Sequence, residues 1–237
     1  MSAIPGELQN VLLSLAFLIS SARCQPPTDT ERAHVLEAHL KVREDVFPPA
    51  SDMLLMQYSL KMERLAAYWA SFCRFEHPDP SHYPWYRGIG QNIALHSGFK
   101  PYLTESVCGW KSETAFYNYT SNTCSHACGH YTQLVWANSD QVGCAMRRCD
   151  GLRPDWSNPQ YLTVCQYKPG GNYVGQRPYV FGPSCSRCPR GFWCSRNQCV
   201  QHYRLEDAYP TTKIINPHER PVPACRPTSS YSFIQYS

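Results

Sequence analysis

The chain has 237 residues, 43% hydrophobic and 17% charged. That is enough apolar material for one packed domain with appendages, and it excludes a wholly disordered chain. A formal net charge of +4 with no block of Lys or Arg argues against nucleic acid as a partner. Thirteen cysteines point to an oxidising, extracellular compartment, and twenty prolines exclude a long-helix or coiled-coil protein.

Residues 1–24 read as a signal peptide. Val11 to Ile19 is an apolar run too short to span a bilayer and the right size for a signal core. Ala22 and Cys24 occupy the −3 and −1 positions of a cut before Gln25, although the leading segment carries Glu7 and no Lys or Arg. The cut would leave twelve cysteines, an even number. No other stretch approaches a membrane span or a lipid-anchor tail.

From Thr30 the pattern turns helical. Val35, His39, Val42 and Val46 share one face, and Pro48-Pro49 stops the run. Met62, Leu65, Ala66, Trp69, Phe72 and Cys73 form a second helical face. Residues 74–90, with three prolines and two glycines, read as loop. A third helix is predicted over 102–117 from Ser106, Trp110, Glu113 and Tyr117. Two strands follow, one alternating at Val142, Cys144 and Met146, the other at Tyr161, Thr163, Cys165 and Tyr167. Helices first and short strands after predict an α+β layered domain over 25–180. Cys185, Cys188, Cys194 and Cys199 then crowd a stretch with little apolar content, so 181–200 reads as a small disulfide-rich knot. Residues 201–237 show no periodicity and read as a mostly disordered, flexible tail.

The run Gly129-His130-Tyr131-Thr132-Gln133-Leu134-Val135-Trp136-Ala137-Asn138-Ser139 resembles the first signature of the CAP superfamily. That superfamily groups cysteine-rich secretory proteins, insect antigen 5 and plant pathogenesis-related proteins. Cys165-Gln166-Tyr167-Lys168-Pro169-Gly170-Gly171-Asn172-Tyr173 resembles its second signature. His39-Leu40-Lys41-Val42-Arg43 is similar to a first-helix HNxxR motif, and Pro49 to Met53 and Gly90-Gln91-Asn92-Ile93 also have counterparts. The four-cysteine spacing after Pro178-Tyr179 is most similar to the peptidase-inhibitor and glioma pathogenesis-related members.

The resemblance implies an α-β-α sandwich (CAP/SCP domain) with a groove over its small sheet. It implies the pairs Cys73–Cys149, Cys144–Cys165, Cys185–Cys194 and Cys188–Cys199. Cys124 and Cys128 also occur in the most similar members, which favours their pairing, and Cys108–Cys225 follows by elimination. Cys144 and Cys165 each fall on an alternating strand face, so a bridge there needs only matched registers. The family cavity is lined by two His and two acidic residues, and several members bind zinc through the His pair. Carried over by position, the metal pair is His39 and His130, and one groove acid is Glu113. The other acidic position holds Gln91, an amide that adds no charge and cannot act as a general base. Two imidazoles and one carboxylate could hold Zn²⁺ with a water in the open position; Glu113 could instead serve only to orient an imidazole. The plainer alternative leaves both histidines hydrogen-bonded and metal-free, with no cofactor required.

Other signals are weaker. Cys124-x-His126-x-Cys128 reads as a metal tract or, in a secreted chain, a disulfide. His34, His77, His82, His96, His202 and His218 lack a partner pattern and read as surface residues. Tyr83, Trp85 and Tyr86 could line a slot or simply cover the core. There is no Gly-x-Ser-x-Gly elbow and no HExxH. Asn118-Tyr119-Thr120 is a glycan acceptor, while Asn122-Thr123-Cys124 is a poor one. The expected function is a secreted, monomeric, disulfide-stabilised binding module and not an enzyme. Its expected partner is an extracellular protein, such as a peptidase that it weakly inhibits. Sterol or lipid carriage is the alternative, metal-dependent hydrolysis a lesser one, and channel regulation a poor fit because only Cys225 follows Cys199.

Overall fold

A computed structural model describes residues 26–201 and a strand at 233–235. The segment read as a signal peptide lies outside the described residues, as do His202, His218 and Cys225 of the tail. Helix α1 (Asp29–Glu44) starts at Thr28, which accepts from the Glu31 N–H while Glu31 reaches back to the Thr28 N–H. This reciprocal box satisfies two amide donors that a helix start leaves open. Helix α2 (Leu60–Ala70) is capped by Ser59, and helix α3 (Leu103–Ser112) continues as a 3-10 turn, Glu113–Phe116. Helix α4 is the short segment Gly129–Leu134.

The central sheet takes β1 (Gln57–Tyr58), β2 (Gly90–Ser97), β5 (Gln141–Arg148), β6 (Gln160–Lys168) and β9 (Phe233–Gln235), in the order β1-β5-β6-β2-β9. The β1–β5 pair is parallel and the others are antiparallel. Two hairpins stand apart, β3 (Tyr117–Asn118) with β4 (Thr123–Cys124), and β7 (Phe192–Ser195) with β8 (Gln198–Gln201). The stretch read as a tail thus contributes one strand, β9, to the edge of β2.

Burial on both faces of the sheet produces two cores. On one face Cys165, Tyr167 and Val142 meet Leu36 and Leu40 of α1, Val107 and Trp110 of α3 and Leu134 of α4. On the other, Ile93, Leu95, Leu162 and Val164 meet Ala66, Trp69 and Ala70 of α2. This is the α-β-α sandwich. At the β1 edge Arg32 of α1 donates twice to Glu63 of α2, at 2.7 and 2.8 Å, and Tyr58 donates to the same carboxylate. The outer layers are therefore joined around the end of the sheet.

Cys73–Cys149 joins the end of α2 to the end of β5. Cys144–Cys165 links register-paired residues of β5 and β6. Cys124–Cys128, Cys185–Cys194 and Cys188–Cys199 complete the pairs among the described residues. Cys108 is disulfide-bonded; its expected partner, Cys225, lies outside the described residues.

Some boundaries differ from the periodic reading. The third helix ends at Ser112, because the backbone tightens through the 3-10 turn and leaves Tyr117 as the first residue of β3. Helix α2 stops at Ala70, and Cys73 sits at φ 50° in the turn beyond it. The aromatic residues of the 74–90 loop close over α2: Tyr86 is buried, and Tyr83 and Tyr86 both pack edge-on to Trp69. Trp85 stays half exposed beside Tyr68.

Candidate functional site

The start of β2 is pressed against α4. A side chain at Gly90 would collide with the Gln133 amide of α4, so the two elements meet nearly backbone to side chain. Next along the strand, Asn92 donates to the His130 carbonyl at 3.1 Å. This junction gathers three of the four residues singled out in the sequence.

His130 is 2% exposed, and its ring is fixed from two sides. It lies parallel to the Trp110 indole, with ring centres 6.0 Å apart and planes within 8°. Its Nδ1 meets Glu113 Oε1 at 2.8 Å, while Glu113 Oε2 accepts the Tyr131 N–H at 2.9 Å. Both carboxyl oxygens are therefore occupied, and Glu113 works as an orienter. In the tautomer that donates Nδ1–H to Glu113, Nε2 carries the lone pair. That Nε2 is buried and has no hydrogen-bond partner among the described residues.

Gln91 lies beside Asn92 in β2, in register with Gln166. Its Oε1 accepts from His77 Nδ1–H at 2.7 Å, and its Nε2 is buried without a partner among the described residues. Both amide atoms of the buried Gln166 also lack partners. Four of the eleven such atoms among the described residues thus belong to His130, Gln91 and Gln166.

His39 is not presented as a ligand in this structure. It is fully buried and uses both ring nitrogens: Nδ1–H donates to Val35 O at 2.6 Å, and Nε2 accepts the Tyr167 hydroxyl at 2.9 Å. Tyr167 in turn accepts from Asn92. His39 thus braces α1 against the sheet from behind the junction. The residue that sequence reading passed over is His77. A lone exposed loop histidine has no periodic signature, and only its contact with Gln91 reveals it. His96 is a second correction, because it lies buried in β2 rather than at the surface. His82 is exposed as read.

Burial pulls both His39 and His96 down to a pKa of about 4, since a buried imidazolium loses its hydration. The Val35 carbonyl opposes this for His39 without cancelling it. An imidazole in the unfolded chain titrates near pH 6.5. Between about pH 6.5 and 4 the unfolded chain therefore binds more protons at these positions, and stability falls as pH drops through that window. Urea midpoints should decline from pH 7 to pH 5, and His39→Gln should flatten the slope. A slope unchanged in the variant would remove His39 from this account.

The sulfurs of Cys185, Cys188 and Cys199 also lie close enough together to suggest a metal cluster. All three are consumed in disulfides, so no thiolate is available to a metal. No helix among the described residues is long and apolar enough to cross a membrane.

Residues 36–167 match the family described as "Cysteine-rich secretory protein family". The chain is 36% identical over 213 residues to GLIPR1-like protein 1 of Homo sapiens, covering 86% of this chain and 82% of that one. It is 37% identical over 180 residues to Peptidase inhibitor 15-A of Danio rerio, covering 70% and 68% respectively. It also matches Cysteine-rich secretory protein LCCL domain-containing 1 of Mus musculus, of which it spans only 37%. Among solved structures it is similar to NaASP2 with Zn²⁺, with a TM-score of 0.62 at 27% identity over 74% of this chain and 98% of that one.

Proposed function

The chain belongs to the cysteine-rich secretory protein family, and from that premise we propose that it is a secreted, non-catalytic binding module whose partner is an extracellular protein. The observation that carries this reading is the state of Glu113. Both its oxygens are tied, one to His130 and one to the Tyr131 N–H, and the neighbouring strand offers the amide Gln91. Neither is placed to take a proton from water or substrate, and His130, whose Nε2 has no protein partner among the described residues, is only 2% exposed, so we read the site as one that holds and orients. Disulfides across both the sandwich and the knot suit a domain that works outside the cell. The likeness to Peptidase inhibitor 15-A makes a peptidase the first partner class to test.

The purified oxidised chain should slow trypsin-like serine peptidases saturably at micromolar concentration, and should itself hydrolyse no ester, peptide or phosphodiester substrate with or without Zn²⁺. Failure to slow any peptidase would discard the inhibitor version. Metal-dependent turnover lost in His130→Ala would discard the non-catalytic reading altogether.

A divalent ion at the junction would be held first by His130 through Nε2, with Glu113 fixing the tautomer. Such an ion would supply Lewis acidity at the junction. Titration calorimetry with Zn²⁺ should show binding that His130→Ala abolishes. Glu113→Gln should weaken it about 10- to 100-fold, the usual effect of losing an orienting carboxylate. His39→Gln should leave it unchanged, because that ring is spoken for. Equal binding in wild type and His130→Ala would remove the metal from the site.

A further inference from the structure

The β3–β4 hairpin carries Asn118-Tyr119-Thr120, and its side chains alternate. Phe116, Asn118 and Thr120 are exposed, while Tyr117 and Tyr119 are half buried against the helical core. Tyr119 is pinned inward: its ring stacks on Tyr179 with centres 4.8 Å apart, and its hydroxyl donates to the Tyr179 carbonyl at 2.8 Å. Arg177 donates to the carbonyls of Tyr119 and Thr120, at 3.0 and 2.6 Å. The backbone is therefore held, and Asn118 and Thr120, both exposed, line one concavity. Asn118 is engaged through Oδ1, which accepts the Ser121 N–H at 3.1 Å, and not through Nδ2.

This concavity, of about 560 Å³, includes Phe116, Phe47 and Pro48 in its walls. Phe47 is 87% and Phe116 38% exposed, so both rings offer apolar surface to the concavity, Phe116 with its ring edge against His126. Phe116, the last residue of the 3-10 turn, stands two residues before the acceptor and lines the same concavity. A pyranose ring has a face of C–H groups, and an aromatic ring offers the negative face that attracts them.

We propose that Asn118 is N-glycosylated and that the first sugar of its glycan packs into this concavity against Phe116, so that the glycan is a structural part of the domain. The linkage forms when Asn118 Nδ2 bonds to the anomeric carbon of a lipid-pyrophosphate-linked oligosaccharide. The bond from that carbon to the pyrophosphate oxygen breaks, the lipid pyrophosphate leaves with the electron pair, and the amide nitrogen loses one proton. The site needs passage through the secretory route, which the appearance of the chain in the medium reports separately.

The test uses the full chain secreted from eukaryotic cells that add high-mannose glycans. Intact mass and peptide mapping should place the glycan on Asn118 and lose it in Thr120→Ala. Trimming to a single sugar with an endoglycosidase should leave Tm unchanged. Complete removal with an amidase should lower Tm by about 2–4 °C, the size expected when one aromatic contact is lost from a chain of this length. In Phe116→Leu, which keeps an apolar side chain but removes the ring, complete removal should no longer change Tm. A secreted chain without carbohydrate at Asn118 overturns the proposal. So does a Tm indifferent to complete removal, or a drop of equal size in Phe116→Leu.

Discussion

Arg43→Ala should cost more than about 5 kcal/mol of stability, enough to leave a domain of ordinary stability largely unfolded. The guanidinium is fully buried and donates to four backbone carbonyls. Nη1 meets Leu134 and Trp136 at 2.9 and 2.8 Å, and Nη2 meets Leu54 and Ala137 at 2.7 and 3.1 Å. These carbonyls belong to the end of α4, the turn after it and the loop that follows α1. None lies in a regular helix or strand interior where an amide could replace the arginine. Each buried carbonyl left open costs about 1–3 kcal/mol, and four are opened together. Arg43→Lys should rescue little, because an ammonium has three donors and no planar fork to span four acceptors. Urea unfolding would show the loss as a fallen midpoint or as no folded baseline. A midpoint within about 1 kcal/mol of wild type would show that water replaces the fork.

Gly143→Ala should cost at least about 4 kcal/mol, the exceptional end for a single substitution. Gly143 lies in β5 opposite Gln166, directly beneath the first turn of α2. A methyl group there would collide with the Glu63 amide nitrogen and come within 2.5 Å of the Ser59 carbonyl oxygen and 2.7 Å of the Met62 carbonyl carbon. Those atoms form the first hydrogen bond of the helix, from Glu63 N to Ser59 O at 2.9 Å. Every colliding atom is backbone, so no rotamer change relieves the clash and the whole helix must lift off the sheet. Gly151→Ala provides the contrast. It has open space around its Cβ position but φ +77°, so its cost should stay near 1–2 kcal/mol. Thermal or chemical unfolding of the two variants should separate them clearly. Equal losses would mean that conformational strain, not the helix contact, governs both positions.

Helices with one wet face were legible in the sequence, and so were two strands whose residue types alternate. Helix α1 and helix α2 follow a 3.6-residue apolar stripe, and β5 and β6 alternate about Cys144 and Cys165. Strand β2 escaped that reading because the residues it buries on its two faces are apolar in a row. Ile93, Ala94 and Leu95 are all fully buried and give a continuous apolar run instead of an alternation. Helix α4 is only six residues long, too short for a period to show. The site was legible in part for a similar reason. His130 and Glu113 fall in motifs with fixed spacing, whereas the fold brings His77 of the 74–90 loop to the Gln91 side chain. His39 carried the right chemistry in the right helix, but its ring faces Tyr167, 128 positions away in sequence.

The knot is fastened to the sandwich at the same loop that Arg43 holds. Cys199 exchanges backbone bonds with Met53 and Leu55, while Arg196 grips Glu37 and Glu44 of α1. Leu54, between those two residues, accepts from Arg43. A protease or reductant acting on the 181–200 segment therefore loosens more than an appendage. It frees the loop over the first core, and a chain shortened at residue 180 would surrender the Met53 and Leu55 backbone to solvent. For anyone preparing fragments of this protein, the smallest sound unit includes the second cysteine hairpin.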